Sequence, residues 1–265
     1  MTDMDALYIH IPFCAQICAY CDFAKEITKT DKRKRYMENL EREIRSHENA
    51  LSSVHSIFIG GGTPSILDES DLTGLFDALK DVGLPDVEDI TIEANPSDVN
   101  ESFAALLKRL GVTRVSLGAQ SFNETHLAFL RRTHTASSIE TAVDTLRKAG
   151  IDNINLDMLF AIPNQSLDDL KQDIDRAMSL PVKHISYYSV IIEENTALAL
   201  WVDKGLVSPI SENLEASMYE TVITRLENAG FSHYEISNFA LFIYRSHSNG
   251  TWRTTRTLNG SMIRS

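Results

Sequence analysis

Cys14, Cys18 and Cys21 fall within the run Cys-Ala-Gln-Ile-Cys-Ala-Tyr-Cys, and they are the only cysteines in a chain of 265 residues. An odd number of thiols confined to so short a run cannot pair off into disulfides, and the C-x-x-x-C-x-x-C spacing is too irregular to line one face of a helix. Bent into a loop, the three sulfurs can converge on one inorganic centre, and soft thiolate ligands select iron-sulfur clusters, zinc or copper(I). A closed structural zinc site needs four protein ligands, for which His10 is the nearest candidate, whereas a cubane cluster held by three thiolates leaves one iron open to a ligand that is not protein. The remaining alternative is three thiols packed in a core. Pro12, Phe13, Tyr20 and Phe23 surround the cysteines with apolar bulk, a setting that shields a charged cluster from water and tunes its potential.

Composition narrows the rest. With 43% hydrophobic residues the chain can bury one sizeable core, as expected of a single α/β domain. A formal charge of −12 repels phosphate backbones, which argues against nucleic acid as a partner. Lys32-Arg33-Lys34-Arg35 is the one basic cluster, and it runs into the apolar stripe Tyr36, Leu40, Ile44, the pattern of a solvated helix face. No apolar run is long enough for a membrane span, and the start Met-Thr-Asp-Met-Asp lacks the features of a signal peptide. The expected location is the cytoplasm, whose reducing conditions keep thiols free for metal.

Short β-branched runs alternate with longer amphipathic stretches, the pattern of βα units around a parallel sheet. Strands are predicted near Leu7 to Ile11, Ser56 to Ile59, Asp89 to Glu93, Arg114 to Leu117, Asn153 to Leu159 and His184 to Val190. Helices are predicted over Asp31 to Ala50, Glu69 to Val82, Glu101 to Leu110, Glu124 to Arg131, Ser138 to Ala149, Leu167 to Ser179 and Leu214 to Ala229, several closed by glycines such as Gly83, Gly111, Gly150 and Gly230. Polar residues gather at the carboxyl ends of these strands, where barrel-like folds build active sites. The cysteine loop follows the first strand, Gly60-Gly61-Gly62-Thr63-Pro64 the second, Glu93-Ala94-Asn95-Pro96 the third and Gly118-Ala119-Gln120-Ser121 the fourth, with Asp157 late in the fifth. All five are expected to face one mouth. The glycine run removes side chains from its turn, so that backbone amides can approach a ligand. Glu93 offers a carboxylate that can accept two hydrogen bonds from a diol, and Arg132 a fork of donors for a carboxylate. The histidines at 47, 55, 126, 134, 184 and 233 show no metal-binding spacing and read as structural.

Tyr8-Ile-His-Ile-Pro-Phe-Cys14 followed by Cys18-Ala-Tyr-Cys21-Asp-Phe resembles the opening of radical S-adenosylmethionine (radical SAM) enzymes, and within them the group of HemW proteins and coproporphyrinogen dehydrogenases. The resemblance implies a partial (β/α)6 barrel of the TIM type, open on one side to admit a large substrate. It implies a 4Fe-4S cluster on Cys14, Cys18 and Cys21, with S-adenosylmethionine chelating the fourth iron and cleaved reductively to a 5′-deoxyadenosyl radical. Carried over residue by residue, it makes Tyr8, Tyr20, Gly61, Gly62, Thr63, Glu93, Gln120, Arg132 and Asp157 contacts to that nucleotide: Tyr20 against the adenine, Glu93 at the ribose, the glycine strand at the methionyl end. It also implies a heme or porphyrin ligand and an electron donor protein such as a flavodoxin or ferredoxin.

Two readings differ in class: a heme chaperone of the HemW type, and an oxygen-independent coproporphyrinogen III oxidase that decarboxylates two propionates to vinyl groups. The dehydrogenase pattern carries another cysteine two residues beyond the triplet and a longer segment ahead of it. Here Cys21-Asp22-Phe23 has no such cysteine and thirteen residues precede Cys14, so the chaperone branch is favoured. The resemblance runs to Tyr234-Glu235-Ile236-Ser237-Asn238-Phe239. From Leu241 to Ser265 the chain has four arginines and no acid. This break divides a radical SAM core over 1–240 from a divergent tail over 241–265, which reads as a frameshifted or otherwise disrupted end. Ser246-His247-Ser248-Asn249 and Trp252 only echo the His-Asn-x-x-Tyr-Trp motif of HemW proteins.

Overall fold

Residues at alternate positions of the parallel strands differ in chemistry, and that alternation sets the architecture. The computed structural model describes residues 6–51, 54–84 and 87–241. Its strands are β1 (Ala6–Ile11), β2 (Phe13–Cys14), β3 (Glu26–Ile27), β4 (Ser56–Gly61), β5 (Asp89–Ala94), β6 (Arg114–Gln120), β7 (Asn153–Phe160), β8 (His184–Ser189), β9 (Ser232–Glu235) and β10 (Asn238–Ala240). The main sheet runs β1-β4-β5-β6-β7-β8-β10-β9. Its first six strands are parallel, and the β9–β10 hairpin is added antiparallel to β8. The six parallel strands coincide with the six predicted ones.

One face of this sheet carries Ile9, Ile11, Ile57, Ile59, Ile92, Val115, Leu117, Ile154, Leu156 and Ile185, all buried. Each is worth about 1.5–3 kcal/mol when fully buried, so this face dictates where the helices go. Helices α1 (Thr30–Ser46), α3 (Glu69–Asp81), α4 (Glu101–Leu110), α6 (Ala136–Lys148), α7 (Leu167–Ser179) and α9 (Glu212–Asn228) supply Met37, Leu72, Leu107, Val143, Ile174 and Val222 to the same core; α2 (Glu48–Leu51), α5 (Glu124–Phe129) and α8 (Ala197–Asp203) are shorter. Side-chain caps from Asp68, Asn100, Asn123, Thr135, Ser166, Thr196 and Ser211 start seven of these helices, each typically worth about 1 kcal/mol. The long α1 begins at Lys29 with no side-chain cap.

The opposite face is polar. Asn155 on β7 donates to Ser116 Oγ and Asp157 Oδ1, both at 2.7 Å, and accepts from His184 Nδ1 at 2.5 Å and Ser186 Oγ at 3.2 Å. Ser116 donates to Asp157 Oδ2 at 2.7 Å, and His184 Nε2 meets the Tyr234 hydroxyl at 2.7 Å. A closed eight-stranded barrel fills its interior with branched aliphatics; here β1 and β9 are the two ends of the sheet and do not pair with each other. The result is the expected partial (β/α)6 barrel, its hollow face lined by hydrogen-bonding groups.

Local differences from the predicted elements have local causes. The helix expected over 31–50 divides at His47, whose N–H returns to the Ile44 carbonyl. The helix expected to reach Arg131 stops at Phe129, and Arg131 adopts φ +58° as the chain turns toward the cysteine loop. The β9–β10 hairpin, α8 and the β2–β3 pair were not predicted. No helix among the described residues is long and apolar enough to cross a membrane. Of the divergent tail, residues 242–265 lie outside the described residues.

Asn155 makes four hydrogen bonds at a buried position, so Asn155→Ala leaves several buried partners unpaired. Each unsatisfied group costs roughly 1–3 kcal/mol, and a chain of this size loses about 2–4 °C per kcal/mol. The expected result is a melting midpoint lowered by about 5 °C or more in a calorimetric scan; an unchanged midpoint would remove Asn155 as the hub of the polar face.

Candidate functional site

The cysteine loop is closed at its base by the parallel pair β2–β3, in which Cys14 lies opposite Ile27. Glu26 N–H donates to Pro12 O at 2.8 Å, and Thr28 bonds the Cys14 carbonyl through its N–H at 3.0 Å and its hydroxyl at 3.3 Å. Its middle is tied to distant parts of the chain: Ala19 N–H donates to Leu130 O at 3.1 Å, Leu198 N–H donates to Ala19 O at 2.8 Å, and Gln16 Nε2 donates to Arg131 O at 3.2 Å. All three thiols are free; Cys14 is buried, Cys18 and Cys21 half-buried.

Predicted cofactor residues reach the sulfurs directly. The Thr63 hydroxyl donates to Cys14 Sγ at 3.5 Å, and Arg132 Nη1 donates to Cys18 Sγ at 3.2 Å. Burial pushes the Cys14 thiol up, and the Thr63 hydrogen bond and Arg132 charge pull it back. Burial likewise raises Cys21, against the Phe23 backbone and Lys25. Arg132 also donates through Nη2 to Asn95 Oδ1 at 2.9 Å and Gly118 O at 2.8 Å, binding the loop to the ends of β5 and β6. His134 lies behind it, with Nδ1 3.0 Å from Asn95 Oδ1 and Nε2 3.0 Å from Ala119 O. Burial and then the Arg132 charge lower His134 to about 4. Asn95 and His134 are the positioning residues that sequence reasoning did not assign, because their partners are reached only through the fold.

The glycine turn ties the end of β4 to the cysteine loop and to β5. Gly61 N–H donates to Glu93 Oε2 at 3.0 Å, Gly62 N–H to Ile11 O at 2.7 Å and Thr63 N–H to Phe13 O at 2.8 Å. These amides hold the cysteine loop and Glu93. A β-carbon on Gly62 would lie 2.7–2.9 Å from backbone atoms of Ile11 and Phe13, and one on Gly61, at φ +113°, 2.4 Å from the His10 ring. The Thr63 side chain remains directed at the sulfur.

Glu93 is half-buried at the end of β5 and pushed up to about 8, first by burial and then by the charge of Asp157, against the Gly61 N–H. Burial also raises Asp157, which accepts from Ser116 and Asn155. Gln120 is buried at φ +65°, where the β6–β7 register shifts. Strained backbone of this kind persists only where its surroundings over-determine it. Tyr20 packs against the small cluster Leu130, Leu159 and Ile162, and burial raises its hydroxyl. Tyr8 is 56% exposed on the hollow face, stacks on Phe58 at 6.0 Å and donates to His10 Nδ1 at 3.0 Å. His10 Nε2 donates to Ala24 O at 2.8 Å, so both ring nitrogens are engaged and the zinc arrangement completed by His10 is not formed.

Among the described residues no three His, Cys, Asp or Glu side chains gather tightly enough to hold a single metal ion. Thiolates on three separate irons of a cubane stand further apart than ligands of one ion, and the donor set of three free sulfurs suits that centre. A second observation agrees: Arg132 Nε is buried without a partner, an unspent donor beside Cys18.

Residues 8–177 match the Radical SAM superfamily model. The chain belongs to the radical SAM superfamily. Its cofactors are accordingly a 4Fe-4S cluster and S-adenosylmethionine. It is similar to the heme chaperone HemW of Lactococcus lactis (38% identical, 94% of this chain, 65% of that protein) and of Bacillus subtilis (38% identical, 94% and 67%). A mitochondrial radical S-adenosyl methionine domain-containing protein 1 from Danio rerio is 32% identical over 94% of this chain and 57% of its own length. The chain thus spans about two thirds of the HemW relatives named here. Among solved structures, the Escherichia coli coproporphyrinogen III oxidase HemN, a radical SAM enzyme, superposes with a TM-score of 0.80 at 22% identity, covering 90% of this chain and 56% of that one. This likeness shows the shared partial-barrel fold.

Two outcomes follow from this geometry. Gly62→Ala forces backbone apart at the loop's base, and overpacking of this kind costs typically about 1–3 kcal/mol; thermal melts should show that loss together with reduced iron uptake on reconstitution. Because Glu93 binds its proton more tightly folded than unfolded, its contribution to stability is full below the ordinary glutamate range and is lost as pH rises through about 8. Denaturant titrations of the metal-free chain should therefore show stability falling between pH 5 and pH 8.5, roughly across that window, with a shallower fall in Glu93→Gln; equal slopes would reject the assignment.

Proposed function

We propose that Cys14, Cys18 and Cys21 each hold one iron of the 4Fe-4S cluster, and that S-adenosylmethionine lies across the strand ends against Tyr8, Tyr20, Gly61, Gly62, Thr63, Glu93, Gln120, Arg132 and Asp157. We further propose that the chain acts as a heme chaperone of the HemW type, in the cytoplasm, with reduction by a flavodoxin or ferredoxin. The observation that supports the cofactor assignment is the pair of hydrogen bonds from Thr63 to Cys14 Sγ and from Arg132 to Cys18 Sγ, which joins the turn after β4 and the segment after α5 to the cysteine loop.

When bound, cluster and nucleotide together supply reductive cleavage of a sulfonium. The chain's own residues orient and shield. Thr63 and Arg132 donate to sulfur, and such bonds stabilise a thiolate over a thiol. The free Nε of Arg132 is a donor suited to a carboxylate, and the Glu93 carboxyl, anchored by Gly61, keeps an oxygen for a diol. Tyr20 and its aliphatic neighbours form an apolar wall beside them. The sheet does not close between β1 and β9, which is consistent with entry of a flat macrocycle to its polar face.

Anaerobic reconstitution with iron and sulfide tests the assignment: the parent should take up about four irons and a visible chromophore, and Cys14→Ser, Cys18→Ser and Cys21→Ser should each lose most of both. Parallel assays then separate function. Retention of heme through gel filtration with no vinyl product from coproporphyrinogen agrees with the chaperone, and stoichiometric carbon dioxide release overturns it.

A further inference from the structure

The stretch from Lys25 to Arg35 carries six cationic side chains and two acidic ones in a chain whose net charge is −12. It opens α1, whose first turn carries a partial positive charge that disfavours further cations, and its Lys29 start lacks a capping side chain. Helix stability therefore does not account for these residues. Arg33 is spent on Asp68 and Asp71, Lys32 on Glu26 and Lys25 on the Cys21 carbonyl. Lys29, Lys34 and Arg35 are exposed and make no ion pair among the described residues. Lys29, Lys32 and Arg35 recur every third position on one helix face, and with Thr30 and Asp31 they line an open hollow of about 500 Å³.

Position gives this patch its meaning. Lys29 follows Thr28, which holds the Cys14 carbonyl through two hydrogen bonds. Beside it, Ile27 lies opposite Cys14 in the short ladder and is 48% exposed, and Phe23 is 63% exposed. An apolar centre with a charged rim is the anatomy of a protein contact, and electron-transfer encounters are the small, transient kind.

We infer that Phe23, Ile27, Lys29, Lys32 and Arg35 form the docking surface for an acidic one-electron carrier protein, which delivers its electron to the cluster past Thr28 and Cys14. The inference rests on the cluster assignment above. One electron leaves the reduced carrier, which is oxidised by that electron, and is taken up at the cluster; no bond forms and no atom is transferred. Nucleic acid fits less well, because the cations occupy one short face of a strongly acidic chain.

The test uses the full chain, reconstituted anaerobically, with two reductants: dithionite, which needs no docking surface, and a flavodoxin in its hydroquinone form. Bleaching of the cluster absorption is followed by stopped flow across a salt series, and flavodoxin binding to the metal-free chain by calorimetry. Lys29→Glu/Arg35→Glu should be reduced by dithionite as the parent is, yet by flavodoxin at least about tenfold more slowly at low salt, with weakened binding in calorimetry. Lys34→Glu, on another face of the same helix, should change the rate little, and salt should slow the parent far more than the double variant. Equal flavodoxin rates for parent and double variant overturn the inference, as does an equal loss in Lys34→Glu. Oligonucleotide binding lost in the double variant while flavodoxin reduction is unaffected overturns it in favour of a nucleic-acid face. If dithionite yields no reduced cluster in the parent, the cluster assignment itself falls, and the docking surface with it.

Discussion

Everything in this molecule rests on the two-residue period of its parallel strands. One set of side chains, from Ile9 through Ile185, is buried under the helices and supplies the cohesion. The other set includes Ser116, Asn155, Asp157, His184 and Ser186, which are stitched into one hydrogen-bonded lining. A fully apolar set on both faces would close into a filled barrel with no interior to use. Cohesion on one face and satisfied polarity on the other leave a scaffold that is rigid and hollow.

The electrostatics follow from that lining. Asp157 and Glu93 approach each other from neighbouring parts of the hollow face, and burial raises both carboxyls. Arg114 lies deep among Asp89 and Asp157, while Arg132 faces the sulfurs. Cations and acids are thus sorted along the hollow, with the guanidinium of Arg132 placed where anionic thiolates need compensation.

How much of this could be read from the amino acids depends on the range of each interaction. The six strands and most helices were legible because periodicity and glycine punctuation are local signals. Thr63, Glu93 and Arg132 were legible from the motifs' resemblance to the radical SAM family, with the fold bringing Thr63 and Arg132 onto the sulfurs, and the cysteine triplet was legible through its spacing. The use of the glycine amides was not, since Ile11 and Phe13 become neighbours of Gly62 only when β1 and β4 pair. His134 and Asn95 were illegible for the same reason. The polar strand residues were visible, but an alternating strand ordinarily turns its polar side to water, and only the curved sheet turns it inward. The β9–β10 hairpin lacked a strong turn signal, its tight turn being Ile236-Ser237.

The tethers of Ala19 have a consequence for how the chain acquires its shape. The loop between Cys14 and Cys21 owes its course to carbonyl and amide groups of Leu130 and Leu198, contacts of very large sequence separation. Such contacts carry the loop-closure entropy of the long stretches of chain between them. The course of the cysteine loop is therefore fixed by the scaffold as far along the chain as α8, and not by its own eight residues.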